Sequence, residues 1–461
     1  MDLSRKHTGL VLGLAVALAA GFLLPLPHPA RVGFAAILFW ITCIIFGVFP
    51  NHLTGLGLIL SPILLGSAPA EVALKSATSP LWWMLLMGFV IGAGFIKTGL
   101  GRRIAYFFAS TFVSGWYSVI LTIFVVNAVL NIIAPFSTVA QIAITYEIYT
   151  QMAHEFGFAP RSRGYNGILL AMVASSILAG ELVLTGWSLN PLAVGLFRPI
   201  VDLDFISWLK YITPIALLFL IMAYASIVFL YKPRPKPVLM RSVVREKYLK
   251  LGPLSLQEKK VLLISISTLI VFPTQPLHGL DGGWLSLGVS LLLFFPGIGV
   301  LNEKDFAALN WPFMWFFLGV FSIGDQLVYH EVHTWLAEIA MPDNIHRWPG
   351  TQANVYTALI LVALHLPVGT MAPLMACFLP AMGQYAAANG MPLVATFGVI
   401  LFAAKRWVFP FQEAMVLMTM GMSNGRITAE STVKLGVVLT ILYVTVLIPL
   451  STGYWRLIGA P

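Results

Sequence analysis

Charge is what this chain has least of. Asp, Glu, Lys and Arg make up 10% of 461 residues, where a water-facing domain uses about 25%. That shortage excludes an ordinary soluble surface. Cysteine is nearly absent too. Cys43 and Cys377 both lie in apolar runs and read as packing residues. With no Cys-x-x-Cys and no Cys/His cluster, a structural metal site is not expected. Clustered His or Asp/Glu at catalytic spacing is also missing. His154, His330 and His333 lie scattered near loops, which argues against a membrane enzyme. No ring or lining of charge points to a channel.

What is present is apolar. Hydrophobic residues reach 59% and mean hydropathy is +0.88, so lipid is the solvent. The fold class that follows is an all-α membrane protein of about 11 transmembrane helices. Apolar stretches fall at 8–27, 33–50, 54–68, 79–97, 116–134, 166–190, 208–231, 260–274, 283–300, 309–327, 354–382, 392–420 and 433–453. The first, Thr8 to Leu26, reads as a span and not a signal peptide, because many more follow. The net charge of +9 is assigned to cytoplasmic loops, with no nucleic-acid partner expected. Residues 232–260 carry nine Lys or Arg against Glu246 and Glu258, which makes them a cytoplasmic linker. Arg5 and Lys6 place the N-terminus on the same side. The expected organisation is an N-terminal helix (1–30), a first repeat (31–231), this basic linker and a second repeat (261–461).

The two halves resemble each other. Trp82-Trp83 and Gly88 are echoed by Trp311, Trp315 and Gly319. Pro135-Phe136-Ser137-Thr138 is echoed by Pro367-Val368-Gly369-Thr370. Late breaks follow at Thr185–Pro191 and Phe409–Glu413. With an odd number of crossings per unit, the copies are inverted in the membrane.

Chemistry is expected at the interruptions, because a helix end inside hydrocarbon bares peptide groups that only protein, water or ligand can satisfy. The first follows Asn131, with Pro135 as breaker and the Ser137 and Thr138 hydroxyls where a helix restarts. The second holds Thr185, Gly186 and Asn190-Pro191, with Glu181 one turn before it; Gly186 permits unusual backbone angles and Asn190-Pro191 signals a turn. The third is His365 to Thr370. The fourth is Lys405-Arg406 through Gln412-Glu413, ionisable groups inside an apolar stretch and hence functional candidates. Helix N-termini at such breaks suit carboxylates.

The segment Phe95-Ile-Lys97-Thr98-Gly99-Leu-Gly101-Arg102-Arg103-Ile-Ala105, with Pro276-Leu-His278-Gly279 and Tyr454-Trp455-Arg456-Leu-Ile-Gly459, resembles the divalent anion:sodium symporters, the di- and tricarboxylate carriers of the ion-transporter superfamily. The resemblance implies two inverted repeats, each with a re-entrant hairpin and an unwound helix. It also implies a homodimer and elevator-type transport. Family members carry Ser-Asn-Thr at each hairpin tip for sodium and substrate carboxylate. Here the tips read Phe136-Ser137-Thr138 and Val368-Gly369-Thr370, keeping only the Thr. The family's Gly-Thr-Pro-Pro-Asn-like loops become Gly186-Trp187-Ser188-Leu189-Asn190 and Phe411-Gln412-Glu413.

Expected substrate contacts are therefore Ser137, Thr138, Gly369, Thr370 and Asn190. Expected coupling residues are Asn131, Glu181, Thr185, Gly186, Gln412 and Glu413. A sodium site is placed near Ser137, Gly186 and Gly369, although the missing Ser-Asn pairs remove oxygen ligands that sodium needs. Coupling stays open between sodium, protons through Glu181 or Glu413, and anion exchange. No other cofactor is expected. The sequence thus reads as a secondary transporter of small organic anions in a bacterial inner membrane, in contact with membrane lipid, with an inorganic anion such as sulfate or arsenite as the alternative cargo.

Overall fold

The computed structural model describes residues 2–135, 138–198, 200–233, 241–340, 342, 344–366 and 372–461. Among them every regular element is helical. α1 (Asp2–Leu23) precedes a first series: α2 (His28–Phe46), α3 (Asn51–Leu64), α4 (Pro80–Thr98), α5 (Leu100–Phe112), α6 (Trp116–Ile133), α7 (Thr138–Glu155), α8 (Arg163–Leu178), α9 (Leu189–Phe197) and α10 (Thr213–Leu230). A connecting helix, α11 (Arg241–Lys250), lies within the basic segment. The second series is α12 (Leu256–His278), α13 (Gly282–Leu291), α14 (Trp311–Tyr329), α15 (Val332–Ala340), α16 (Gly350–His365), α17 (Ala372–Ala388), α18 (Leu393–Ala403), α19 (Ala414–Met422) and α20 (Ala429–Leu442). α20 runs through a π turn, Tyr443–Leu447, into α21 (Ile448–Leu457).

From α2 to α9 every helix start recurs 225 to 234 residues later, as α4 at 80 and α14 at 311 illustrate. The packing is reciprocal as well. α3 lies on α14 while α13 lies on α4; α9 lies on α17 while α19 lies on α7. At the α3–α14 crossing the backbones of Gly55 and Gly319 meet, and a Cβ on either would strike the other helix's main chain. Trp82 Nε1 donates to the Met314 carbonyl at 3.1 Å, so the echoed tryptophan segments also touch.

Eight described helical stretches are long and apolar enough to cross a membrane by length and composition. α1 turns Val11, Leu14, Leu18 and Phe22 outward, a face suited to lipid and not to water. α8 and α18 are the opposite case. Gly164 to Leu178 and Val394 to Ala403 are buried on all sides, as expected of helices that are apolar all round. They form the heart of the molecule, and both end abruptly inside it.

The segments that carry the family resemblance hold the halves together. Gly99, at φ 73°, ends α4 in the left-handed region, where a side chain would be strained. Lys97 then pairs with Asp305 at 2.5 Å. Arg103 bonds Glu258 at 2.6 Å and the carbonyls of Leu251, Gly252 and Pro253. Tyr454 and Trp455 donate to the Lys210 and Tyr211 carbonyls, both at 2.8 Å.

Candidate functional site

The stretch expected as one span at 166–190 is two helices separated by residues 179–188. Short 3-10 turns at Ala179–Glu181 and Leu184–Gly186 fill the gap. The break therefore starts earlier than Thr185, and Glu181 lies inside it instead of a turn before it. Asn190 and Pro191 are not a turn but the first turn of α9, where proline's missing N–H costs nothing. Gly186 is needed for a different reason from the one the sequence suggests. It is absent from the positive-φ glycines, but a Cβ there would collide with the Gly180 carbonyl. The stretch 392–420 is likewise divided, with α18 and α19 separated by residues 404–413.

The bare carbonyls of the first break are filled by side chains. Asn131 Nδ2 donates to Ser176 O at 3.1 Å. Asn190 Nδ2 donates to Gly180 O at 2.8 Å and Val183 O at 3.2 Å. Trp208 Nε1 takes Glu181 O at 2.9 Å, and the Thr213 hydroxyl takes Leu182 O at 2.9 Å. Asn190 thus spends its donor on the backbone, leaving Oδ1 buried with no hydrogen-bond partner among the described residues. The hydroxyls of Thr138 and Thr185 are in the same state. Asn127 links α6 to α8 through Met172 O and Ser175 Oγ, and Gln141 of α7 donates to Asn127 O at 2.9 Å.

The second break reaches into the first. Lys405 Nζ is 3.2 Å from Glu181 Oε1, with both side chains fully buried. It also donates to Ile177 O at 3.3 Å and stands 2.8 Å from the centre of the Trp187 ring. Arg406 is held between the rings of Phe219 (4.6 Å) and Tyr443 (3.7 Å), with no hydrogen-bond acceptor on its guanidinium among the described residues. Both cations therefore belong to the interior, not to an interfacial loop. Gln412 Oε1 accepts from Val408 N and Phe409 N at 2.7 Å each, while its Nε2 donates to His365 O at 2.8 Å. Glu413 caps α19 by accepting from Met415 N at 3.2 Å. The two restarting helices consequently differ. A carboxylate caps α19, whereas no side chain caps the start of α9.

The structure thus brings Asn131, Glu181, Thr185, Gly186 and Asn190 to the first break, and Gln412 and Glu413 to the second. Ser137, Gly369 and Thr370 lie outside the described residues. Sequence reasoning did not foresee that Lys405 crosses to Glu181, 224 positions away, nor that Trp187 forms the aromatic wall of that contact.

The family profile described as the sodium:sulfate symporter transmembrane region matches residues 4–460. Inner membrane protein YbhI of Escherichia coli K12 is 22% identical, covering 97% of each chain. Putative malate transporter YflS of Bacillus subtilis is 26% identical over half of each chain. Chloroplastic dicarboxylate transporter 1 of Spinacia oleracea is 24% identical over 62% of this chain and 54% of its own.

Proposed function

This chain belongs to the family of the sodium:sulfate symporter transmembrane region, and from that premise we propose that it is a secondary transporter of small dicarboxylates working by alternating access. That it is a multi-pass membrane transporter and not an enzyme follows from the family and from its relatives. The observation that supports an anionic cargo most strongly is the start of α9, which no side chain caps, following in sequence the buried Thr185 hydroxyl that has no partner among the described residues. A helix N-terminus offers the positive end of a dipole, which at α9 acts with few free N–H groups, since Asn190 N donates to the Trp187 carbonyl and Pro191 has no N–H. A hydroxyl without a partner can donate to a carboxylate oxygen. Dicarboxylate is favoured over sulfate because malate and dicarboxylate carriers recur among the relatives.

In this reading the cargo sits near mid-membrane between the two breaks. Thr138, and by the sequence correspondence Thr370, hydrogen-bond its carboxylates. Asn190 positions the break instead of touching cargo, since its donor is spent. The duplicated halves act as inverted repeats, and the broken-helix core moves against the remaining helices in elevator fashion. The working unit is a homodimer in the inner membrane with its N-terminus and basic segment cytoplasmic. Coupling through sodium, protons or exchange fits this outline.

The test is uptake of labelled malate, succinate or sulfate into proteoliposomes, with and without ion gradients or internal counter-anion. Malate or succinate should accumulate, competed weakly by sulfate. Preference for sulfate would replace the dicarboxylate assignment, and failure of all three under every gradient would overturn it.

A further inference from the structure

Sodium in carriers with broken helices is held by unwound backbone carbonyls and by the C-terminal ends of half-helices. Such an ion needs several oxygens that have no other partner. At the corresponding place in this chain, the end of α8, the backbone oxygens are largely taken, and the oxygens without a hydrogen bond among the described residues are side-chain ones: Asn190 Oδ1, the Thr185 hydroxyl and the Glu181 carboxylate. Of the eight carbonyls from Ser176 to Val183, seven already accept hydrogen bonds: from Asn131 (Ser176), Lys405 (Ile177), Leu182 N (Ala179), Asn190 (Gly180), Trp208 (Glu181), Thr213 (Leu182), and Gly186 N with Asn190 (Val183). The carboxylate of the break, Glu181, faces the ammonium of Lys405 at 3.2 Å.

We propose that the Lys405 ammonium is the resident cation of the first helix break, standing where a co-transported sodium would sit, so that this carrier exchanges its anions without sodium. Its surroundings are those of a monovalent cation: a helix-end carbonyl at 3.3 Å, a carboxylate at 3.2 Å and the face of an indole ring. Lysine presents a compact ammonium with three donors, suited to such a cage. It arrives from the second half of the chain, on the loop between α18 and α19, and is fully buried. A tethered cation cannot be released on one side and gathered on the other. It therefore replaces the structural part of a sodium ion, completion of the break, but cannot draw on a sodium gradient. Transport is then driven by the counter-anion. The inference rests on the anion-carrier reading and specifies its coupling.

The experiment uses the full-length protein in proteoliposomes loaded with unlabelled malate, with labelled malate outside, in sodium chloride or choline chloride. Wild-type exchange should run at the same rate in the two media, because no ion enters its rate equation. A loss of rate in choline overturns the proposal. The second arm is Lys405→Ala, which empties the cage while leaving Glu181. Its melting temperature in detergent should rise with added sodium chloride or methylammonium chloride over choline chloride, whereas that of wild type should not, because only the vacated cage binds a small cation. In the double variant Glu181→Gln/Lys405→Ala this response should vanish. A Lys405→Ala protein that folds but responds to neither cation overturns the proposal. If the variant does not fold, the wild-type comparison decides. If wild type carries no anion at all, the anion-carrier reading fails, and the melting experiments still judge Lys405 separately.

Discussion

At the scale of single residues, the breaks show polar side chains used mainly to satisfy backbone. Asn190 closes two carbonyls with one amide. Asn190→Ala leaves the Gly180 carbonyl buried and unpaired, a loss of about 1–3 kcal/mol, while the Val183 carbonyl keeps its hydrogen bond from Gly186 N. The variant's melting temperature should fall clearly, and maximal exchange should drop more than affinity changes, because the Asn190 amide is bound to the carbonyls of the break. Thr138 is the contrasting case, since its buried hydroxyl has no partner among the described residues. Thr138→Val should raise the KM for malate about tenfold, the equivalent of one hydrogen bond to a charged group, with the melting temperature little changed. An unaltered KM would remove Thr138 from the cargo site. The Glu181–Lys405 pair adds a third expectation. Glu181→Gln alone should destabilise by about 3–5 kcal/mol, since it strands a buried ammonium.

At the scale of elements, much of the layout was legible. The tryptophan echoes, the Pro135 interruption and the two late breaks correspond to α4 and α14, the gap after α6, and the gaps that follow α8 and α18. Proline and glycine announce these features locally, which is why a sequence can show them. The extents of the gaps were not legible. The first begins at Ala179, in a run whose residues are all acceptable in a helix, because Gly180 and Gly186 must touch and tertiary packing decides where the helix stops. The pairing of Lys405 with Glu181 was equally hidden, as nothing local links two residues in different halves. Connections outside the membrane can be tested more simply. Arg103→Ala removes hydrogen bonds to Glu258 and three carbonyls and should lower stability by about 2–3 kcal/mol in thermal unfolding. Asp305 accepts a hydrogen bond from Lys97, which lowers its carboxyl below the usual range. A lowered folded-state pKa means the contribution is present above the ordinary carboxylate value, near about 4, and is lost as pH falls through the folded one. Proteolysis around residues 303–307 should therefore increase in acid below that point, and the increase should be absent in Asp305→Asn.

At the scale of the whole molecule, eight consecutive helices repeat at a near-constant spacing and pack reciprocally. That arrangement brings the two breaks to one buried centre, where neither half alone could complete the Glu181–Lys405 contact. The Gly55–Gly319 crossing ties the outer helices of the two halves by direct backbone approach. Gly319→Val should destabilise by about 1–3 kcal/mol or more through overpacking, measured as melting temperature, without changing the anion preference of the protein that remains folded.

In the proposed carrier an organic dianion is bound where the two breaks meet. Electron cryo-microscopy of the protein with saturating succinate tests it most directly. Density for one dianion is expected against the start of α9, within hydrogen-bonding reach of Thr138 or Thr185. Succinate density confined to the protein surface, with side chains and backbone packed closed between the breaks, would contradict it.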